Sequence, residues 1–70
     1  MSSRSVDLNN PPSFADQLVS AMISGGYTAY SLAQLTMHDE DRLIDLMDGA
    51  PPTSDEVSSL SKTLRQNFRV

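Results

Sequence analysis

The residues of this chain that could do acid–base or metal chemistry are concentrated in one stretch, His38-Asp39-Glu40-Asp41. His38 is the only histidine, and it stands at a predicted turn between two helices. Three adjacent carboxylates at the start of a helix fan around its axis, so they form neither a calcium loop nor a facing acid pair. We therefore interpret His38 as a partly buried turn residue, and the carboxylates as a solvated helix start that favours the helix dipole.

Other reactive sites have little support in the sequence. The absence of cysteine excludes disulfides, thiolate metal ligands and thiol nucleophiles, and there is no glycine-rich phosphate loop. The serines at 58, 59 and 61 have no base nearby in sequence. A chain of 70 residues also makes one small domain with little room for a deep cleft. We predict a protein that is not an enzyme and that uses no cofactor, metal ion or small-molecule substrate.

Charge and hydropathy restrict the partners and the compartment. The formal net charge of −4 opposes a phosphate backbone, and no basic tail or stripe offsets it. The sequence contains neither an apolar run of roughly 20 residues nor the pattern of a signal peptide. These features predict a cytoplasmic protein without a membrane segment.

Periodicity divides the chain into an arm and a helical domain. Residues 1–12 are rich in serine, asparagine and proline, and we predict a flexible N-terminal arm there. Residues 13–70 are predicted to form an all-α domain, a compact bundle of four or five short helices that contains a helix-turn-helix. The last helix is expected to carry its apolar stripe as far as the C-terminal end, through Val57, Leu60, Leu64 and Phe68.

Helix starts are marked by residues that can cap them. Ser13, Thr28 and Asp39 each stand before an apolar pattern with helical spacing. The run Thr53-Ser54-Asp55-Glu56 has the form of a capping box, and it follows two prolines that prevent continuation of the preceding helix. Four helices are therefore expected to begin close to these positions.

The order of these signals resembles the phage-repressor or Cro-like (XRE-type) helix-turn-helix family, from about Leu18 to Leu64. In that family a Gly-apolar-Thr step precedes the second helix, which then carries a Leu-Ala pair. The equivalents here are Gly26-Tyr27-Thr28 and Leu32-Ala33. The family also ends its recognition helix with glycine, matched by Gly49, and places proline before the fourth helix. The resemblance implies a DNA-binding scaffold.

Two departures from the family pattern concern packing. Met37 stands where the tight turn of the family usually has glycine, which places the geometry of this turn in question. The family commonly ties its first helix to its third by an arginine–glutamate pair, and Met22 and Met47 occupy those positions. Exchanging both partners for apolar residues is often neutral or stabilising, so we predict a Met22–Met47 contact. The alternative is two independent core methionines.

The predicted recognition helix departs further. The family contacts base edges through outward positions that here are Glu40, Asp41, Ile44 and Asp45, and Arg42 is the only cation on the helix. Four such positions without Arg, Lys, Asn or Gln are unusual for a DNA-binding helix. The following loop, Ala50 to Thr53, also lacks the cations that would contact phosphate. Specific duplex binding by this surface is therefore disfavoured.

Apolar side chains off the predicted core faces provide another candidate surface. They are Val19, Ile23, Leu35 and Ile44. Because a small domain has difficulty hiding four such residues, we expect a partner-binding surface for another protein or for a second copy. The alternative is scattered exposed aliphatics of no consequence.

We therefore expect a small regulatory binding module of the phage, plasmid or bacterial type, acting through protein–protein association in transcription regulation. One alternative is a conventional DNA-binding transcriptional regulator, with Arg4, Arg65 and Arg69 contacting the backbone. Another is an acidic DNA mimic, in which the carboxylates between Asp39 and Asp48 occupy the basic cleft of a nucleic-acid-binding protein.

Overall fold

Four α-helices make up the domain in a computed structural model that describes residues 13–69. They are α1 (Phe14–Gly25), α2 (Ala29–Thr36), α3 (Glu40–Met47) and α4 (Ser54–Leu64), and this part of the chain contains no strand. The predicted all-α bundle of four short helices is confirmed. The predicted arm, residues 1–12, lies outside the described residues. Within the described range, no helix is both long enough and apolar enough to cross a membrane.

The helices begin where their capping residues predict. The Ser13 hydroxyl accepts a hydrogen bond from the Asp16 N–H at 3.2 Å. Thr28 forms a reciprocal capping box, with Ser31 as its partner instead of an acidic residue. Asp39 is the N-cap of α3 but makes no side-chain capping bond, so the prediction is right in position and wrong in mechanism. The carboxylates of Glu40 and Asp41 in the first turn of α3 still interact favourably with the helix dipole.

The turn between α2 and α3 adopts left-handed backbone at Met37. The Met37 N–H donates a hydrogen bond to the Ala33 carbonyl. With φ 63°, methionine takes a conformation that glycine adopts more easily. Met37 is 89% exposed. The backbone of Met37 therefore carries the strain of this turn.

The end of α4 differs from the prediction. The helix stops at Leu64, because Arg65 is in the left-handed region with φ 57°. The Arg65 N–H donates to the Ser61 carbonyl. Phe68 consequently does not continue the stripe of α4. It lies in an irregular tail, residues 66–69, and packs against the core from there.

The core lies among the four helices, with α1 and α2 packed against both α3 and α4. Its buried apolar residues are Phe14, Leu18, Ala21, Met22, Leu32, Ala33, Leu43, Leu46, Leu60 and Leu64. Met22 is buried, and Met47 is half-buried against the same cluster, as expected if α1 and α3 share an apolar seam. Direct contact between the two methionines stays a prediction. α3 packs on α1 and α2, whereas no Cα atom of α3 comes within 8 Å of α4.

Candidate functional site

The outward side of α3 forms a continuous acidic face, which we define as Glu40, Asp41, Ile44, Asp45 and Asp48. All five residues are exposed. Successive residues of a helix are about 100° apart, so these positions cover one arc of roughly 140°. Four carboxylates therefore surround a single apolar side chain, on the side of the helix opposite its buried leucines.

Arg42 does not contribute to this face. Its Nε donates to Glu56 Oε2 at 2.7 Å and its Nη2 donates to Glu56 Oε1 at 2.9 Å, a bidentate pair between α3 and α4. The same Nη2 donates to the Pro51 carbonyl at 3.0 Å, in the loop that joins the helices. This is the only ion pair within residues 13–69. Arg42, the only cation of the predicted recognition helix, is instead paired with α4 and with the loop that precedes it.

The electrostatics of Glu56 follow from this pairing. Glu56 is buried, and the hydrogen bonds from Arg42 are the largest cause that lowers the pKa of its carboxyl from 4.5 to about 2. The Thr53 N–H donates to the same carboxylate at 2.8 Å, completing the predicted capping box. In return, the Glu56 hydrogen bonds raise the pKa of the Arg42 guanidinium. Both charges are present at neutral pH and offset each other.

The predicted apolar surface is only partly exposed. Ile23, Leu35 and Ile44 are 75%, 60% and 43% exposed, whereas Val19 is half-buried and offers less to a partner. Val19 and Ile23 are one turn apart on α1 and share a side of that helix. Leu35 and Ile44 lie on the neighbouring helices α2 and α3.

Two exposed apolar residues were not predicted. Tyr30 is 59% exposed on α2, where its hydroxyl accepts a hydrogen bond from Gln34 at 2.8 Å, and Met37 projects from the turn. Leu32 and Ala33 are the buried residues of α2. Helical spacing from these two residues could have predicted that Tyr30 is exposed. Met37 is exposed because of its backbone conformation, which is not apparent from apolar periodicity.

His38 occupies the turn between α2 and α3, and it is partly buried as predicted. Its Nε2 atom is buried and has no hydrogen-bond partner. In the part of the chain that the structure describes, no group of three or more His, Asp or Glu side chains is arranged to hold a metal ion. His38 is therefore a packed turn residue with one unsatisfied nitrogen.

Comparison with protein-family models, curated proteins and solved structures finds no match to this chain. The similarity to repressor-type domains therefore rests on the residues between Leu18 and Leu64. A helix-turn-helix of that type stays a prediction, and functional inference depends on the site itself.

Proposed function

We propose that this protein is a small, non-enzymatic regulatory module that acts by associating with another protein rather than by binding DNA. The observation that carries the proposal is the commitment of Arg42 to Glu56 and Pro51. With this guanidinium bonded to Glu56 and Pro51, the acidic face of α3 has four carboxylates, one isoleucine and no cation.

Such a surface is poorly suited to a nucleic acid. Phosphate contacts from lysine and arginine supply most non-specific affinity, and base readout depends mainly on arginine, lysine, asparagine and glutamine. The acidic face offers neither kind of group. The loop after α3 has no charged residue from Gly49 to Thr53 that could compensate.

The exposed apolar side chains suit a protein partner better. An exposed isoleucine or leucine gains roughly 1.5–3 kcal/mol when it is fully buried, and much of the area of Ile44 on the acidic face, of Ile23 on α1 and of Leu35 on α2 is exposed. The carboxylates around Ile44 can select a partner by charge. A symmetric dimer through the acidic face is disfavoured, because it would bring two sets of like charges together.

Charge insertion at the apolar positions tests this proposal. Ile23→Asp, Leu35→Asp and Ile44→Asp should each reduce recovery of the partner at least tenfold in quantitative cross-linking within source cells. Ser58→Asp, which adds the same charge to an exposed position of α4, should leave recovery unchanged. Sedimentation of the purified protein establishes whether a second copy is the partner. Equal recovery from all variants, together with a monomeric wild type, would contradict the proposal.

A further inference from the structure

A groove along one side of α1 is lined mainly by polar residues, and the C-terminal tail forms its other wall. Its cavity of about 410 Å³ lies within the size range of small-ligand sites. We call it the α1 groove, and its lining residues are Asp16, Gln17, Ser20, Ala21, Ser24, Gln66 and Phe68. Because Gln66 and Phe68 belong to the tail, the groove exists only when the tail lies against α1.

Two contacts hold the tail in this position. Gln17 Nε2 donates to the Arg69 carbonyl at 2.8 Å, and the Arg69 N–H donates to Gln17 Oε1 at 2.8 Å. Phe68 meets Phe14 edge-on, with ring centroids 5.1 Å apart and planes at 66°. Both walls of the groove are therefore part of the folded domain, as is usual for small-ligand sites.

The α1 wall carries a regular row of polar side chains. Asp16, Ser20 and Ser24 are spaced four residues apart, so they follow one side of the helix over about 12 Å. Asp16 is the only charged residue of the lining, and its carboxylate has no ion-pair partner within residues 13–69. The hydroxyls of Ser20 and Ser24 make no hydrogen bond to another described residue. The row therefore offers one carboxylate and two hydroxyls to a ligand that carries several N–H groups.

Both ends of the row favour positive charge. Asp16 lies at one end, and Ser24 lies at the other, in the last turn of α1, where the helix dipole is negative and no basic residue offsets it. Between the ends, Ala21 and Phe68 offer apolar contact, and aromatic rings also attract cations. No lysine or arginine lines the groove. These features suit a narrow ligand with methylene groups along its length and a cation near each end.

We propose that the α1 groove binds a linear aliphatic polyamine of about the length of spermidine. One terminal ammonium pairs with Asp16, an inner N–H donates to Ser20, and the other terminal ammonium lies beside Ser24. The extended length of spermidine is close to the span of the row, whereas the shorter diamine putrescine cannot reach both ends. The site uses α1 and the tail, and it is separate from the acidic face on α3.

Titration of the isotope-labelled full-length protein with spermidine, followed by NMR, tests the proposal. Salt at about 0.15 M screens attraction to the acidic face. We expect saturable shifts of the backbone amides of Ser20, Ser24 and Gln66. Asp16→Asn should weaken binding about fivefold, the effect of one exposed ion pair, whereas Asp45→Asn, the same change on the acidic face, should leave it unchanged.

Two controls separate groove binding from general attraction between charges. Ser20→Leu fills the groove at an exposed helical position without changing the charge, and it should weaken spermidine binding at least fivefold. Octamethylenediamine has the length of spermidine and the charge of putrescine, so it should bind more tightly than putrescine. The absence of saturable shifts, shifts confined to α3, equal effects of Asp16→Asn and Asp45→Asn, undiminished binding by Ser20→Leu, or equal binding of the two diamines would overturn the proposal.

Discussion

Changing Glu56 to Gln tests the connection between α3 and α4 most directly. One pKa unit corresponds to about 1.4 kcal/mol, so the fall from 4.5 to about 2 represents at most about 3.5 kcal/mol of stabilisation. Solvent screens the pair because the Arg42 side chain is 35% exposed. We therefore expect Glu56→Gln to lower the free energy of unfolding by about 1–2 kcal/mol at pH 7.

The effect should depend on pH in a defined direction. The pKa of Glu56 is lower in the folded state, so its contribution is complete above about pH 4.5 and is lost as the pH falls towards 2. Urea unfolding at several pH values should show the wild type and Glu56→Gln converging as the solution becomes more acidic. Both proteins should differ by a constant amount from pH 6 to 8.

Asp55→Asn is a matched control, since it removes the same charge from the same helical turn at an exposed position. It should change stability by no more than about 0.5 kcal/mol. Equal effects of the two substitutions, or a Glu56→Gln difference that persists unchanged to pH 3, would refute the role assigned to the ion pair.

Substitutions at three further positions test the turns and the core by urea unfolding. Met37→Gly should raise stability by about 0.5–1 kcal/mol, because glycine relieves left-handed backbone at an exposed position, whereas Met37→Ala should not. Met22→Ala should lower stability by about 2–5 kcal/mol, and a loss below 1 kcal/mol would contradict its place in the core. His38→Leu should raise stability by about 1 kcal/mol by removing a buried, unsatisfied nitrogen; a comparable loss would show that the imidazole has a partner.

Local interactions made much of the fold predictable from sequence. The caps at Ser13, Thr28 and Thr53 join groups only three residues apart, so residue type and spacing suffice to identify them. Asp39 makes no side-chain capping bond, and Met37 adopts left-handed backbone. Apolar periodicity predicts neither of these local conformations.

The candidate sites depend on contacts that local pattern does not contain. Arg42 and Glu56 are 14 residues apart, and pairing them requires the relative placement of α3 and α4. Gln17 and Arg69 are 52 residues apart, and their pairing requires the tail after Leu64 to return to α1. The predicted apolar stripe of α4 included Phe68. Phe68 does pack against the core, but it lies after the end of the helix.

Titration of the purified protein with DNA at low salt tests the central claim most directly. We expect no saturable, sequence-selective binding to a random-sequence duplex pool at micromolar protein, because the outward side of α3 is acidic and Arg42 is held by Glu56. Glu40→Ala, Asp41→Ala and Asp45→Ala should leave this result unchanged. Enrichment of a specific sequence with nanomolar affinity, lost when these residues or Arg42 are changed, would contradict the account.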